Sequence, residues 1–489
     1  MFQPSSVAKA TKTLVAANSS ETGQKPYTVA GLPFSTALVF ATLFVVAFWF
    51  YGAVWTGAPF MLPDSGSYIR VAQDLSDFHV DQLNVRPPGY PLLLVLTGTG
   101  RPLFYTSLAL HFAAIWLLSA VLYTLGLTGG WLVLFALLLL LPPYVEYAGY
   151  IVTENLSEFL AVSVFSSLVF WFLRGRRFGL LVLSGIVIAC SGLTRPTYQP
   201  LALVVAGVLL MARWMSGQKA ISYRDCIRAG MVLLTTSVVL IGGFSLLNYV
   251  KFDFFGIYPA TGLNFSNRTM KFLERLPDQY AAEREALIRA RNAQLIEGED
   301  HSGFDYFWKA LPELHKITGI ASEPELAQYL LHLNLALIKS APLHYLQEVL
   351  ASFSAYWFPS ATSLANMNSR GIQALWIVLY FAILALFFLQ LIVITGLAIF
   401  QMTQRFFVGE ANMSLSPGPV FAYFLAGIIV FYSLLATAIA AVPDARYAVP
   451  TQPLVIFLCF LGFYLWRQLL LRIEPRQASY GTRYSGVCD

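Results

Sequence analysis

The chain has 489 residues, of which 57% are hydrophobic and 12% charged, with a formal net charge of +5. Soluble domains carry about 25% charged residues, so the charged skin of a soluble protein is missing, in line with a mean hydropathy of +0.63. A soluble enzyme is excluded. So is a nucleic-acid binder, because Lys and Arg cluster in short segments between apolar runs, the positive-inside pattern of a polytopic membrane protein.

Residues 1–33 are polar, carry Lys9, Lys12 and Lys25, and read as a disordered cytoplasmic tail rather than a cleavable signal. The first span covers 34–56, uninterrupted by charge and long enough to cross hydrocarbon. The lysines before it put the segment 57–101 outside. There Pro63-Asp64-Ser65-Gly66-Ser67-Tyr68 leads into a short amphipathic helix over 65–75, with Tyr68, Ala72 and Leu75 on one face. Arg86-Pro87-Pro88-Gly89-Tyr90-Pro91 closes the loop. Its prolines remove donors and push preceding residues to extended geometry, so a regular helix is not expected there.

Further spans are expected over 103–126, 131–147, from Glu154 to the Arg174-Gly175-Arg176-Arg177 inside marker, 179–193, 198–213 and 229–250. Pro142-Pro143 ends the third and opens a second outer loop over 144–153. Residues 251–371 have no clear span. They hold a helix-like run from Glu274 to Glu297 and an amphipathic helix over 342–358, whose aromatics suit the headgroup level. The last spans are 372–400, 418–441 and 451–469, and Arg467, Arg472, Arg476 and Arg483 hold the C-terminus inside. The fold class is therefore all-α: a polytopic membrane protein with about ten transmembrane helices and outer-face juxtamembrane helices. Its parts are a tail 1–33, a transmembrane core 34–250, an outer-face helical region 251–371, C-terminal transmembrane helices 372–471 and a cytoplasmic tail 472–489. The four cysteines form no CxxC pair and suggest neither a zinc site nor a disulfide framework.

On this topology Asp64, Arg86, Glu154, Arg195, Asp444 and Arg446 fall at outer ends of spans, while the middles are nearly free of ionisable groups, His111 excepted. A transporter needs such groups near the midplane. Carboxylates and arginines gathered at one interface suit transfer from a membrane-anchored phosphate: a carboxylate takes the acceptor's proton, and arginines hold the leaving phosphate. Structural roles stand beside these. Asp64 and Glu154 can cap helices, Arg86 can snorkel to headgroups, Arg195 can mark the interface, and Arg446 can pair with Asp444 in a turn. Glu158, one helical turn below Glu154, is expected to face the protein interior, and His111 reads as a satisfied core residue.

The order of Asp64, Arg86–Pro91, Val152-Thr153-Glu154, Thr194-Arg195-Pro196 and Arg446-Tyr447 with Pro450 resembles the GT-C glycosyltransferases. Within them it most resembles the branch of protein O-mannosyltransferases and bacterial aminoarabinose transferases, integral membrane enzymes that use polyprenyl-phosphate-linked sugars. The resemblance covers residues 34–215, fades after 251 and returns at 443–450. It implies Asp64 as catalytic base, although the adjacent acidic pair frequent in the family is Asp64-Ser65 here. It implies Glu154 as a substrate ligand or, with Asp64, as a ligand of a divalent cation (Mg or Mn), and Arg446 and Tyr447 as contacts to the carrier phosphate. Tyr68, Arg86, Tyr90, Arg195 and Arg268 complete the candidate substrate-binding set. The implied partners are a polyprenyl-phosphate-linked sugar donor, a protein, lipid or glycan acceptor, and membrane lipids, with no nucleic acid. The expected function is inverting glycosyl transfer at the periplasmic face of a bacterial inner membrane, both termini cytoplasmic. The alternatives are a flippase of lipid-linked sugars and an oligosaccharide polymerase or ligase.

Overall fold

A computed structural model describes residues 28–480 apart from 30, 56, 176, 216–221, 260, 297–302, 360–363, 365, 366, 368, 409–415 and 441–443. The expected tail 1–33 therefore lies mostly outside the described residues, as do the last nine residues, 481–489. A chain in hydrocarbon must satisfy its backbone internally, and helices do so within each segment. The described chain is accordingly helical, with one two-residue antiparallel pairing, Thr28–Val29 with Leu32–Pro33, before the first long helix.

Among the described residues seven helices are long and apolar enough to cross a membrane: Phe34–Val54, Arg101–Leu125, Glu154–Leu173, Tyr223–Phe252, Arg370–Leu397, Pro417–Ala440 and Ala445–Leu470. Two shorter apolar helices, Phe178–Thr194 and Pro196–Met211, and a bent pair, Gly130–Leu139 with Pro142–Gly149, occupy the other places where the sequence predicts spans. The chain is an integral membrane protein. Burial sorts the spans: the window in Ala445–Leu470 is 83% buried and that in Phe34–Val54 only 17%, so the first is central and the second lines the outside. Glu154–Leu173 packs between Arg101–Leu125 and Phe178–Thr194 and also meets Pro417–Ala440. Stacked Phe172 and Phe421, with ring centroids 4.2 Å apart, join Glu154–Leu173 to Pro417–Ala440.

The third expected span is not continuous; its two halves meet at 62°. Pro142 and Pro143 carry no N–H, so the carbonyls four residues before them lose their helical donors. The Leu139 carbonyl is instead 2.9 Å from His111 Nε2, which donates to it, and His111 Nδ1 lies 2.8 Å from Glu158 Oε1. With Nε2 committed as a donor, the Nδ1–Oε1 contact needs one shared proton, whichever partner carries it. His111 and Glu158 are buried, as the sequence reading expects, and they are each other's partner.

The region after residue 251 is helical and has its own core. Thr261–Thr269, Ala281–Ile296, Gly303–Thr318 and Glu323–Ser340 gather around Met270, Leu287, Leu314 and Leu330. The helix expected from Glu274 starts later, at Ala281, because Pro277 ends the preceding 3-10 stretch Met270–Arg275 and leaves Leu276 extended. The amphipathic helix Pro342–Tyr356 ties this region to the membrane core by packing on Pro417–Ala440.

Replacing His111 by Leu leaves Glu158 buried without its partner and the Leu139 carbonyl without a donor. It is expected to destabilise the protein by about 3 kcal/mol, and Glu158→Leu in the same chain to restore most of that loss. Denaturant unfolding in detergent of the two single variants and the double variant checks this; a stable His111→Leu contradicts it.

Candidate functional site

Five charged side chains from five separate breaks in the helices meet at one end of the bundle. Asp64 Oδ1 accepts from Arg86 Nη2 at 2.6 Å, and Oδ2 accepts from Arg446 Nη2 at 3.0 Å. Arg446 Nε lies 3.3 Å from Glu154 Oε1, and the same oxygen accepts from Arg195 Nη2 at 2.6 Å. The result is a relay of alternating sign: Arg86, Asp64, Arg446, Glu154, Arg195. Tyr447 lies between the two arginines nearest Glu154, with each guanidinium 5.3 Å from its ring centroid. At the other end Arg86 sits 5.0 Å from the Tyr68 ring and 5.8 Å from the Tyr258 ring.

Local chemistry sets each position. The segment before Asp64 is stitched to the one before Glu154: Phe60 N donates to Gly149 O at 2.9 Å and Ile151 N to Phe60 O at 3.1 Å. Ser65 Oγ closes the corner, donating to Ile151 O at 2.7 Å while accepting from Leu62 N. Asp64 precedes the helix Ser65–Ser76 yet makes no side-chain cap. Its carboxylate is engaged by arginines instead, so the capping alternative does not hold. The capping role belongs to Asp444, whose Oδ1 accepts from Arg446 N at 2.9 Å at the start of the 3-10 helix Ala445–Thr451. Arg195 lies in extended geometry between two helices, and its Nε donates to Thr153 Oγ1 at 2.7 Å.

The Arg86–Pro91 segment departs from expectation in one respect: a helix, Gly89–Thr97, begins inside it. Pro91 is tolerated because it lies in the first turn, where no intrahelical donor is needed. Gly89 is required by close approach. A Cβ there would fall 2.9 Å from the Leu193 carbonyl and collide with Thr194 Oγ1. This contact holds the start of the helix Gly89–Thr97 against the end of Phe178–Thr194. Tyr90 and Tyr68 pack edge to face with centroids 5.2 Å apart.

The relay runs from a partly open end to a closed one. The Asp64 side chain is 30% exposed and that of Glu154 is 1% exposed. Burial pushes the Asp64 carboxyl up, but the guanidiniums of Arg86 and Arg446 outweigh it and hold the group below the usual carboxylate range. Burial pushes the Tyr68 phenol up to about 12, so it stays protonated.

Arg268 is the one predicted site residue outside these contacts. It is fully buried, and its Nε donates to the Ala438 carbonyl at 3.2 Å, at the C-terminus of Pro417–Ala440, where a cation suits the helix dipole. Lys271 pairs with Glu348 at 2.7 Å. Tyr258 and Thr153 were not singled out from the sequence as site residues. Thr153 stood within the Val152-Thr153-Glu154 motif, whereas nothing local marks Tyr258. The donor set does not fit a resident divalent cation, because both Asp64 oxygens and one Glu154 oxygen already accept from guanidinium groups. Among the described residues no three His, Cys, Asp or Glu side chains gather as ligands.

No protein-family model and no curated protein matches the sequence. Among solved structures the chain is similar to the archaeal oligosaccharyltransferase AglB from Archaeoglobus fulgidus, in complex with an inhibitory peptide and a dolichol-phosphate, at 14% identity and a TM-score of 0.46. That alignment covers 92% of this chain and 53% of AglB, so the chain spans about half the length of that protein. It is also similar to ArnT from Cupriavidus metallidurans bound to undecaprenyl phosphate, at 12% identity and a TM-score of 0.34, over 86% of this chain and 78% of ArnT.

Two measurements test the geometry. Gly89→Ala forces a shift of backbone against backbone and is expected to lower stability by about 1–3 kcal/mol, read by unfolding in detergent; an unchanged midpoint contradicts the close approach. The Asp64 carboxyl is lower in the folded than in the unfolded chain, so its ion pairs stabilise above the ordinary Asp value of about 4 and are lost as pH falls through the folded value. Arg86→Gln removes one cation, raises the folded value and moves the acid loss of stability to higher pH. Melting temperature against pH reports this, and superimposable acid limbs contradict it.

Proposed function

We propose that this chain is a GT-C-type glycosyltransferase that moves a sugar from a polyprenyl-phosphate carrier to an acceptor hydroxyl. We assign the relay end to the periplasmic face of a bacterial inner membrane, with both termini cytoplasmic. The observation that carries the reading is the relay itself: three guanidiniums bound to two carboxylates, with the Asp64 end open. Guanidinium groups bind phosphate in the same bidentate manner as carboxylate, so a carrier phosphate competes directly with Asp64 for Arg86 and Arg446.

In the proposed reaction the phosphate draws Arg86 and Arg446 toward itself. Asp64, relieved of two cations, becomes more basic. It accepts the proton of the acceptor hydroxyl as the oxygen attacks the anomeric carbon. The bond from that carbon to the phosphate oxygen breaks, and the arginines stabilise the charge on the leaving phosphate. One displacement inverts the configuration. Glu154, held by Arg195 and Arg446, orients the sugar, and Tyr447 shapes the arginine pair. The helical region 251–371 closes the side of the site through Tyr258 and selects the acceptor.

Purified protein supplied with a radiolabelled polyprenyl-phosphate sugar and acceptor tests the assignment. Asp64→Asn keeps the shape of the side chain and removes the base, so transfer is expected to fall about 10²–10⁴-fold with polyprenyl phosphate still bound. Transfer equal to wild type would falsify the role of Asp64.

A further inference from the structure

Among the described residues Arg268 is a buried cation with no anionic partner. Its side chain is fully buried, and its Nε donates to the Ala438 carbonyl at 3.2 Å. Its Nη1 and Nη2 are buried with no hydrogen-bond partner. A guanidinium does not give up its proton in a protein, and an uncompensated buried charge is strongly unfavourable. Bracing a helix end uses one of its five N–H groups and leaves the charge unmatched. The neighbouring side chains do not match it either. Tyr345 Oη donates to the next carbonyl, Ile439, at 2.9 Å, so Arg268 and Tyr345 meet at the end of Pro417–Ala440. Three residues further along each segment, Glu348 is already held by Lys271 at 2.7 Å. The side chains of that pair are 49% exposed for Lys271 and 24% for Glu348, so the seam between the two segments reaches water at this edge. An exposed pair contributes little, and opening it costs little.

We propose, building on the transferase reading above, that Nη1 and Nη2 of Arg268 seat a second anionic group of the substrates, a phosphate or a carboxylate, separate from the carrier phosphate at the relay. Two oxygens of one such group accept from the two nitrogens in the paired geometry that a guanidinium favours, and its charge neutralises the buried cation. A neutral hydroxyl or amide satisfies the donors and leaves the charge. The seat is within reach of the reaction. Ala438 lies six residues before Asp444, whose carboxylate caps the turn that carries Arg446, and six residues span at most about 20 Å. Tyr258, over Arg86, lies three residues before the helix Thr261–Thr269 that bears Arg268. Such a group arrives either on an acidic acceptor or as the second phosphate of a polyprenyl diphosphate carrier, and both ask the same of Arg268.

The test is calorimetric titration of inorganic phosphate, at constant ionic strength, into the purified full-length chain saturated with short-chain polyprenyl monophosphate, so that the relay is already occupied. Wild type is expected to bind the added phosphate. Arg268→Gln is expected to weaken that binding about tenfold or more, with its affinity for polyprenyl monophosphate unchanged. Arg268→Lys keeps the charge without the fork, is expected to retain part of the binding, and covers the case of an Arg268→Gln chain that does not fold. Saturation with polyprenyl diphosphate in place of the monophosphate separates the two sources. Phosphate binding that disappears assigns the seat to the carrier's second phosphate, and binding that persists assigns it to an acidic acceptor. A wild type that binds polyprenyl monophosphate but no further phosphate, or phosphate binding that both variants leave intact, overturns the proposal and leaves the transferase reading standing. A wild type that does not bind polyprenyl monophosphate overturns the transferase reading and this proposal together.

Discussion

A carboxylate buried as deeply as Glu154 cannot stand alone, because an isolated charge away from water costs several kcal/mol even after relaxation. Arg195 and Arg446 neutralise it from two different breaks in the helical bundle. Arg446 then has a second obligation to Asp64, and Asp64 to Arg86. The local geometry of the end of the bundle follows from these pairings: the stitched corner from Phe60 to Ile151, the close approach at Gly89 and the Asp444 cap that aims Arg446. The other buried pair, His111 with Glu158, works by the same rule one helical turn deeper, where it braces the break in the third span.

In the proposed reaction the same electrostatics gives the site two states. With Arg86 and Arg446 on Asp64, the carboxylate is held below its usual range and is a weak base. An anion that takes those arginines restores its basicity. In the proposed reaction the donor phosphate is that anion, so the base becomes competent when the leaving group is in place. Tyr258, just before the helices of the outer region, lies over Arg86, and Pro342–Tyr356 packs on the membrane core.

Much of this was legible in the sequence, because a bilayer leaves few options. Apolar runs, proline breaks and arginine placement located the spans, and the residues left charged at their ends became the relay members. The bend at Pro142 was marked by the two prolines but not by its brace, since a lone histidine gives no sign of a glutamate 47 residues away. Asp64 before a helix suggested a cap, and the partners that draw it away lie 22 and 382 residues along the chain. Tyr258 and the fit of Gly89 against Leu193 depend on tertiary approach, which local spacing does not encode. The charge of Arg268 suggested a phosphate contact, and nothing local showed that its Nε would meet the end of a helix.

The central claim is that the relay exchanges a carboxylate for the phosphate of a lipid carrier. Equilibrium binding of a short-chain polyprenyl phosphate and of the matching polyprenol, to wild type and to Arg446→Gln, tests it most directly. The account predicts that wild type favours the phosphate by about tenfold or more, one charge-assisted contact or better, and that Arg446→Gln removes most of that preference. Equal affinity of wild type for the phosphate and the alcohol would contradict it.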